Sequence, residues 1–373
     1  MSPDVRIHTY TEPPAYLPAL LTAHLPHSLP LLRRLQFTRF PGGITPHARI
    51  FVATTSSSSP TATEEEEEEK AAEEPPNPVA QPGQAFAAAY VDLSRGPETQ
   101  VWLYSSLEHR SASSPPSFSS SSSSPDESSS FPEEQEIECA RALLGAVKRW
   151  REDGGGGGGG AARGPDDHHD TVMLGTLSER LRRALDDRAG LVFPYTEVYD
   201  KWLFRLADLP PAAEGQARVD ERLAAAAAAR KKIGGGAGGS GAGWRWDGVR
   251  REDIPLVLSR THIPRKERTV KLLPSTAIYL DDGTPIAWSF LGPDSSLSSL
   301  HCEKQYRGKG LAKAVAVKLL RDHLKDYGDE EYGWADVAPD NLQSQGVCKS
   351  LGGKIGWQVS WSRIDLDLSF PDS

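Results

Sequence analysis

Apolar and polar residues follow regular periods through most of the second half of the chain. Spacings of three and four residues predict helices at 252–261, 311–324 and 341–351. Asp282 and Gly283 give a hairpin-turn signal between two of the intervening strands. Strands are predicted at 276–280, 285–291, 297–302, 333–337, 355–361 and 363–368, the last two as a hairpin. This order predicts an α/β (α+β) fold, a mixed and mostly antiparallel sheet flanked by helices, with an open edge partway along.

The first half has predicted elements of the same kinds but no catalytic motif. Residues 17–37 have helical apolar spacing, which Pro26 and Pro30 divide into two helices because proline interrupts a helix interior. Strands are predicted at 48–53, 85–93 and 99–105, and helices at 132–151 and 171–188. We interpret 1–205 as a divergent N-terminal α/β lobe.

Four tracts of low complexity interrupt these elements. They are the Ser- and Glu-rich 54–83, the Ser-rich 111–130, the segment 154–170 that begins with a glycine run, and the Ala/Gly-rich 224–243. None has enough apolar side chains to offset the entropy lost on folding, so all four are predicted to be disordered. The first three are insertions in the N-terminal lobe. We predict that 206–243 is a linker and that 244–373 is a separate C-terminal domain.

Charge and composition restrict the classes of binding partner and the cellular compartment that we expect for this protein. The formal net charge is −9 and no broad basic surface is evident, which disfavours nucleic acid as a partner. Cys139, Cys302 and Cys348 lie far apart, which favours a reducing compartment over a disulfide framework or zinc site. The N-terminus has no apolar h-region, and no stretch reaches the roughly 18 apolar residues of a membrane-spanning helix. These features predict an intracellular, cytoplasmic protein without a membrane partner.

The segment between the predicted strand 297–302 and the predicted helix 311–324 carries the strongest functional signal. A strand that passes through two glycines into a helix N-terminus can hold a phosphate, because free backbone N–H groups and the helix dipole meet there. The segment is not a P-loop, because no Gly-Lys-Ser/Thr follows a four-residue gap. It is not a dinucleotide-binding fingerprint either, because it lacks the third glycine and an acidic residue that would bind the ribose. The segment reads Gln305, Tyr306, Arg307, Gly308, Lys309, Gly310, Leu311 and Ala312.

Two motifs together resemble those of one enzyme superfamily. The pattern Gln305-x-x-Gly308-x-Gly310 resembles the coenzyme A pyrophosphate loop of the GNAT acyltransferases. Residues 341–352 read Asn-x-x-Ser-x-x-x-Cys-x-x-Leu-Gly, which resembles that superfamily's second motif, Asn-x-x-Ala-x-x-x-Tyr-x-x-Leu-Gly. The order and separation of the motifs also match, over 244–373. The N-terminal lobe is similar, more vaguely, to the first half of the glycine N-acyltransferase-like branch.

The resemblance implies how the chain binds an acyl donor. In GNAT proteins the pantetheine arm pairs with the open edge of the strand before the loop, and the loop N–H groups bind the pyrophosphate. Arg307 and Lys309 would add positive charge, and Asn341 would contact pantetheine or order the next helix. The implied co-substrate is acetyl-CoA or another acyl-CoA, the acceptor is an amine, and no metal is required. The implied cofactor-binding residues are Leu300, Cys302, Gln305, Tyr306, Arg307, Gly308, Lys309, Gly310, Leu311, Ala312 and Asn341.

Acyl transfer to an amine requires few groups from the protein. Holding donor and amine close can supply roughly 7–11 kcal/mol of the barrier. A proton must leave the amine, since an alkyl amine with a pKa near 10.4 is charged at neutral pH. The leaving thiolate must be protonated or shielded, and Cys348 stands where the family has tyrosine. Cys348 is therefore either an acid with a pKa around 8.5 or an inert packing residue. Gly353 replaces the family's phenylalanine, which alters the expected acyl pocket.

Three side chains are candidates for the base. Glu303 directly follows the strand that would pair with pantetheine. Asp294 lies at the beginning of that strand, near Ser296, where the glycine N-acyltransferase-like branch places a carboxylate. His301 shares a strand face with Glu303, because strand residues alternate. An ordered water as the relay also stays open, and either carboxylate can be an ordinary turn residue.

Two charged clusters have simpler interpretations than a site. The basic segment 260–268 borders the acceptor site in this fold and could receive an acceptor carboxylate, although a solvated basic face explains it as well. His168, His169 and Asp170 could bind a metal but are typical of a linker.

We predict an N-acyltransferase, most simply an acetyltransferase, acting on a primary amine of a small molecule or protein. The alternatives are a non-catalytic acyl-CoA-binding regulatory protein and an interaction scaffold that acts through its Ser- and Glu-rich tracts.

Overall fold

The computed structural model describes residues 4–55, 84–113, 133–155, 171–232, 243–261 and 263–371. The predicted insertions lie almost entirely outside these ranges, as do His168, His169 and Asp170. The strands are β1 (Val5–Tyr10), β2 (Ala48–Thr55), β3 (Phe86–Asp92), β4 (Val101–Ser105), β5 (Thr171–Ser178), β6 (Val192–Arg205), β7 (Trp244–Asp247), β8 (Ser275–Leu280), β9 (Pro285–Leu291), β10 (Leu297–Cys302), β11 (Tyr332–Val337) and β12 (Lys354–Asp365). The helices are α1 (Tyr16–Thr22), α2 (Leu29–Phe37), α3 (Glu133–Glu152), α4 (Glu179–Asp187), α5 (Ala212–Lys232), α6 (Ile254–Ser259), α7 (Glu267–Val270), α8 (Leu311–His323), α9 (Leu342–Ser350) and α10 (Leu366–Ser369).

The chain forms two compact units, and neither is one continuous stretch of sequence. Unit 1 comprises the described residues within Met1–Leu35, Thr45–Glu197 and Ser360–Ser373, and unit 2 those within Gln36–Ile44 and Val198–Val359. β6 and β12 each contribute residues to both units. This division differs from the predicted boundaries at 205 and 244, because packing groups residues that are distant in sequence.

Unit 1 is built on a sheet in which β1, β2, β3 and β4 are antiparallel neighbours. β5 pairs with β4 in parallel, and the sheet continues through the parts of β12 and β6 that belong to this unit. α3 lays an apolar stripe, which includes Leu143, Leu144 and Val147, on the core of this unit. The sheet therefore has a buried face covered by a helix whose apolar residues recur at helical spacing.

Unit 2 contains a four-stranded sheet in the order β10-β9-β8-β7, all of it antiparallel. In the same unit, β11 pairs antiparallel with the second part of β6, from Asp200 to Arg205. Its main core joins residues of α6, α8 and α9 with Trp288 and Phe290 of β9. Among the described residues, unit 2 thus has strand edges on β7, β10 and β11, and those on β10 and β11 belong to different sheets.

Among the described residues, the two halves of the chain repeat one order of elements. The first half runs β1, α1, α2, β2, β3, β4, α3, β5, α4, β6, and the second runs β7, α6, α7, β8, β9, β10, α8, β11, α9, β12. α5 lies between the two series. The second half has Gly308 and Gly310 before α8, whereas no glycine occurs from 106 to 132, before α3.

Carboxylates take the corresponding place in the first half. Glu136, in the first turn of α3, accepts a hydrogen bond from Ser106 Oγ at 3.0 Å and is 2 % exposed. Glu108 accepts one from the backbone N–H of Ser105 at 3.1 Å. Acidic side chains are favourable at a helix N-terminus, and the first turn of α3 contains three of them.

Most predicted elements are confirmed, and the fold is a mixed, mostly antiparallel α/β fold with flanking helices, as expected. The prediction of a helix over 171–188 was wrong in its first half, which is β5. Both faces of β5 are covered, so its apolar residues do not alternate and its pattern is ambiguous. β1, β6 and β7 had not been predicted at all. No helix in the described part of the chain is long and apolar enough to cross a membrane.

The predicted C-terminal hairpin was also wrong, because a single strand, β12, replaces it and leads into α10. Ser360 and Ser362, at the predicted break between the two strands, are both buried. Ser362 Oγ donates to Ser360 Oγ at 3.0 Å and lies 3.1 Å from Thr196 Oγ1, so both hydroxyls are satisfied inside the sheet. Hydrogen bonding removes the penalty for burying polar groups, and the strand continues past them.

The segment predicted as a linker, 206–243, contains α5. Val219 and Leu223, four residues apart, are buried and pack in one cluster with Leu311, Ala314 and Val315 of α8. An alanine-rich sequence has high helix propensity, but tertiary contacts of this kind are what hold a helix in place. The apolar pair at 219 and 223 was the sequence signal for this helix.

A buried ion pair joins β6 to β11 in unit 2. Lys201 Nζ lies 2.7 Å from Asp336 Oδ1, and the two side chains are 1 % and 7 % exposed. The same ammonium lies 3.4 Å from the centre of the Trp334 ring, which adds a cation–π contact. Removing one member would leave the other charge buried without its counter-ion.

We therefore expect Asp336→Asn to lower the free energy of unfolding by about 3–5 kcal/mol. The double variant Lys201→Met/Asp336→Asn removes both charges and should recover most of that loss. Denaturant unfolding followed by tryptophan fluorescence measures both variants. Equal stability of Asp336→Asn and the parent protein would contradict this account of the pair.

Candidate functional site

β10 and β11 meet at one end and are separate beyond it. Among the described residues, a single parallel bridge joins the two segments, between Ser296 just before β10 and Trp334 of β11. The closed end is held by Trp334 Nε1, which donates to the carbonyl of Asp294 at 3.1 Å, and by Tyr327 Oη, which donates to that of Gly292 at 2.7 Å. Past the bridge, β10 pairs only with β9, and β11 only with β6. Two strand edges therefore offer backbone donors and acceptors to a ligand.

An irregularity in β10 accompanies this opening. The register between β10 and β9 shifts between Ser298 and His301, and Ser299 has a φ of 50°, in the left-handed region. A bulge of this kind bends its strand and interrupts pairing. The backbone of β10 thus changes direction just before Leu300 and Cys302, which were predicted to bind pantetheine.

The loop after β10 has the backbone conformation that its glycines suggested. Gly308 has a φ of 75°, and Gly310, at the beginning of α8, has a φ of 80°. These values favour glycine, because a Cβ atom disfavours them. Arg307 Nε donates to the carbonyl of Cys302 at 3.0 Å, and Lys309 Nζ donates to that of Gln305 at 3.1 Å. The first N–H groups of α8 have no partner within the helix, so this end favours an anion.

The remaining residues of this segment have mixed roles. Tyr306 is buried and packs with Leu311 in the cluster shared by α5 and α8. Leu300 and Cys302 lie against the same cluster, on the β10 face opposite His301. Ala312 lies in the first turn of α8. Tyr306 and Leu311 thus anchor the loop, while the glycines shape it.

Glu303 lies at the open end of β10 in a group of polar side chains. Its Oε1 accepts a hydrogen bond from Arg260 Nε at 3.0 Å and lies 3.6 Å from His301 Nε2, longer than a hydrogen bond. The His301 ring stacks on Trp288 with a centroid distance of 4.6 Å. Burial lowers the pKa of His301, which the nearby Glu303 partly opposes. The lowered pKa favours the neutral imidazole of His301 beside the Glu303 side chain.

Asp294 has a different environment, at the closed end of β10. Its Oδ1 accepts hydrogen bonds from the backbone N–H of Ser296 at 3.1 Å and from Ser296 Oγ at 2.6 Å. The side chain is buried, and a Cβ on Gly292 would lie 2.7 Å from Asp294 Oδ1. β10, which spans about 17 Å at an ordinary strand rise, lies between Asp294 and Glu303. The two candidate bases therefore do not form one site.

Cys348 lies on α9 with its side chain in the apolar core of unit 2. It is 3 % exposed, and this desolvation raises the pKa of its thiol to about 12. Cys302 is half-buried, and burial raises its pKa to about 11 despite the nearby Arg307 and Lys309. Neither thiol is activated as a nucleophile by its surroundings.

Asn341 orders the helix that follows it. Its Oδ1 accepts a hydrogen bond from the backbone N–H of Ser344 at 3.0 Å, which caps the N-terminus of α9. Two roles were expected for Asn341, contacting pantetheine or ordering the next helix, and this hydrogen bond serves the second. The capping bond fixes where α9 begins, directly after β11.

Sequence reasoning missed Arg222 of α5, whose Nη1 donates to the carbonyl of Lys309 at 2.7 Å. In the basic segment 260–268, Arg265 turns toward the sheet and donates through Nη2 to Ser298 Oγ at 2.5 Å. Arg260 binds Glu303, and His262 lies outside the described residues. The segment is therefore only partly the solvated face that its composition suggested.

The site combines two unpaired strand edges, on β10 and β11, with a helix N-terminus preceded by glycines of positive φ. This arrangement is that of an acyltransferase fold. Residues 4–210 match the family model described as "Acyl-CoA N-acyltransferase verG N-terminal domain", which spans 207 of the 373 residues (210 − 4 + 1). Residues 256–352 match the model "Acetyltransferase (GNAT) family". The chain belongs to the acyl-CoA N-acyltransferase family of the first model, within the GNAT superfamily.

Solved structures of similar architecture extend over nearly the whole chain. A Drosophila protein has a TM-score of 0.51 at 12 % identity, covering 97 % of this chain and 98 % of its own. A tandem GNAT protein from the clavulanic acid biosynthesis pathway has a TM-score of 0.44 at 11 % identity, with coverages of 97 % and 98 %. A GCN5-related N-acetyltransferase from Sphaerobacter thermophilus has 0.43 at 12 %, with 98 % and 97 %. No curated protein matches the chain.

The thiol environments predict unequal reactivity. At pH 8 we expect iodoacetamide to leave Cys348 unmodified in the folded protein, because burial and a pKa near 12 keep the thiol protonated and inaccessible. Cys139 is also buried, with the pKa of its thiol raised to about 12, and we expect it to stay unmodified as well. Peptide mass spectrometry gives the site of modification. In guanidinium chloride all three cysteines should react, and rapid modification of native Cys348 would contradict its burial.

Proposed function

We propose that this protein transfers an acyl group, most simply acetyl, from acyl-CoA to a primary amine. The observation that carries the proposal is the combination of the open β10 and β11 edges with the glycine-shaped N-terminus of α8. The edge at Leu300 and Cys302 is suited to pair with the amides of pantetheine. The loop from Gln305 to Ala312 is suited to hold the diphosphate through backbone N–H groups, with Arg307 and Lys309 nearby.

Glu303 is the proposed proton acceptor, acting directly or through a water molecule. It follows the strand that would carry the thioester, and Arg260 orients its carboxylate from one side. His301 beside it is the second candidate, because its lowered pKa keeps the ring neutral and able to accept a proton. The contacts of Asp294 support a role in shaping the turn before β10 instead.

Cys348 is a poor candidate for the acid that protonates the leaving thiolate. Burial raises the pKa of this thiol to about 12, so it is a much weaker acid than an ordinary thiol, and proton transfer from it to a leaving thiolate is unfavourable. We propose that Cys348 packs α9 and that the thiolate takes its proton from water. The position of the family's tyrosine is thus occupied by a structural residue.

The acceptor is proposed to be an amine of a small molecule or protein. The glycine N-acyltransferase-like branch remains a hypothesis, since neither matching family model has that name. Arg265 on the β10 face is a cation that could bind a carboxylate of such an acceptor. A panel of amines with and without a carboxylate therefore covers the relevant acceptor chemistry.

The function is tested with the full chain in two measurements. Calorimetry with CoA, acetyl-CoA and longer acyl-CoA thioesters measures donor binding. Mass spectrometry then detects N-acyl products with glycine, glutamine, butylamine, spermidine, glucosamine and a lysine peptide. Donor binding without any product would favour the regulatory alternative. Folded protein that binds no CoA species would overturn the donor site itself.

Glu303→Gln should lower kcat by about 10²–10⁴, because it removes the proton acceptor without changing the size of the side chain. The dissociation constant for acetyl-CoA should stay within about a factor of two of the parent value, since the donor is held by the loop and strand edge. Steady-state kinetics with the best amine of the panel gives kcat, and calorimetry gives the dissociation constant.

Glu252→Gln is the matched control, because Glu252 is an exposed carboxylate of the same unit, with a side chain that is 75 % exposed. It should leave both parameters unchanged. If Glu303→Gln keeps full activity while His301→Gln loses it, the base is His301. If both variants retain full activity, neither residue removes the proton.

A further inference from the structure

The N-terminal half of α5 is held along α8 by several contacts. At the N-terminal end, Arg321 of α8 donates through Nε to the carbonyl of Pro210 at 2.8 Å and through Nη2 to that of Leu209. In the middle, a Cβ on Gly215 would lie 3.6 Å from Ala314 Cβ, and Val219 is buried in the same stripe. The two helices are therefore antiparallel, and later residues of α5 lie beside the beginning of α8.

Arg222 is the residue that this register brings to the glycine loop. Its Nη1 donates to the carbonyl of Lys309 at 2.7 Å, and a Cβ on Gly310 would lie 2.8 Å from the same nitrogen. Leu223, the next residue, is buried against α8, and Trp244 Nε1 donates to Asp220 Oδ1 at 2.5 Å. Contacts on both sides of Arg222 thus fix the helix that carries it.

The chemistry of Arg222 suits a phosphate at this place. A guanidinium has five N–H donors, and the bond to Lys309 uses one nitrogen of a side chain that is otherwise exposed. Its charge is permanent, and its planar fork matches the oxygens of a phosphate. Arg307, Lys309 and the positive end of the α8 dipole contribute the same sign of charge here.

We propose that Arg222 binds a phosphate of CoA and so extends the donor site onto α5. This inference rests on the proposed donor and adds a residue that lies outside the segment 256–352 matched by the acetyltransferase model. The contact also ties the loop carbonyl of Lys309 to α5. The donor site is then assembled from two segments, one on each side of the residues 233–242.

The test compares Arg222→Gln with Arg218→Gln in the full chain. Arg218 lies one turn earlier on α5, is 66 % exposed and pairs with Glu214 at 3.3 Å, so it controls for loss of charge on this helix. The probes are CoA, 3′-dephospho-CoA and pantetheine, each titrated by calorimetry. We expect Arg222→Gln to weaken CoA binding about ten-fold, as loss of one hydrogen-bonded charge pair does, and Arg218→Gln to leave it unchanged.

The three probes separate the proposal from a structural role of Arg222. If Arg222 contacts the 3′-phosphate, the difference between variant and parent disappears with 3′-dephospho-CoA. If it contacts the diphosphate, the difference persists with 3′-dephospho-CoA and disappears with pantetheine. Either pattern supports the proposal. An equal loss with pantetheine, which has no phosphate, would show that Arg222 only orders the loop and would overturn it.

Two further results decide the remaining cases. Unchanged CoA affinity of Arg222→Gln, in a parent protein that binds CoA, overturns this inference and leaves the proposed function intact. Absence of CoA binding in the folded parent overturns the donor site and, with it, this inference. Arg222→Lys keeps the charge without the planar fork and should lie between the parent and Arg222→Gln. An unchanged apo melting temperature confirms that each variant is folded.

Discussion

The site depends on a constraint in unit 2: β10 and β11 approach each other at one bridge and cannot pair beyond it. The register of β10 shifts around Ser299, and hydrogen bonds from Trp334 and Tyr327 to the turn before β10 keep the closed end together. Unpaired backbone groups at a strand edge need partners, either water or a ligand. The same turn explains the burial of Asp294, whose carboxylate holds Ser296 in the geometry that the bridge requires.

The repeated order of elements shows how one architecture supports two different local chemistries. In the second half, glycines with positive φ and nearby cations prepare the N-terminus of α8 for an anion. In the first half, the equivalent helix α3 has its own carboxylates there, among them the buried Glu136. A helix N-terminus favours negative charge in both cases, but in α3 the chain itself supplies it. The order of elements is therefore shared by the two halves, whereas the residues at this helix N-terminus differ.

Several particular elements show what could be predicted from sequence. β9 and β10 were predicted with their observed bounds, and the turn signal at Asp282 and Gly283 marks where β9 follows β8. β5 was predicted as helix because both of its faces are buried and its apolar residues run without alternation. β12 was predicted as two strands that break at Ser362, because the hydrogen bond between Ser362 and Ser360 inside the sheet cannot be inferred from a pattern of polar positions. α5 was taken for a linker because its anchoring surface, on α8, lies nearly a hundred residues further along the chain.

The sequence alone determined the backbone conformation of the loop, since Gly308 and Gly310 are residues that accept a positive φ. Their position before an amphipathic helix indicates where an anion could bind. Only the tertiary structure decided the state of the side chains around it. Cys348 became a buried thiol with a raised pKa, and Glu303 gained Arg260 and His301 as neighbours. Arg222 reached the loop from a distant helix. Ionisation and orientation depend on solvent exclusion and on charges a few ångströms away, and those neighbours are chosen by packing between remote segments.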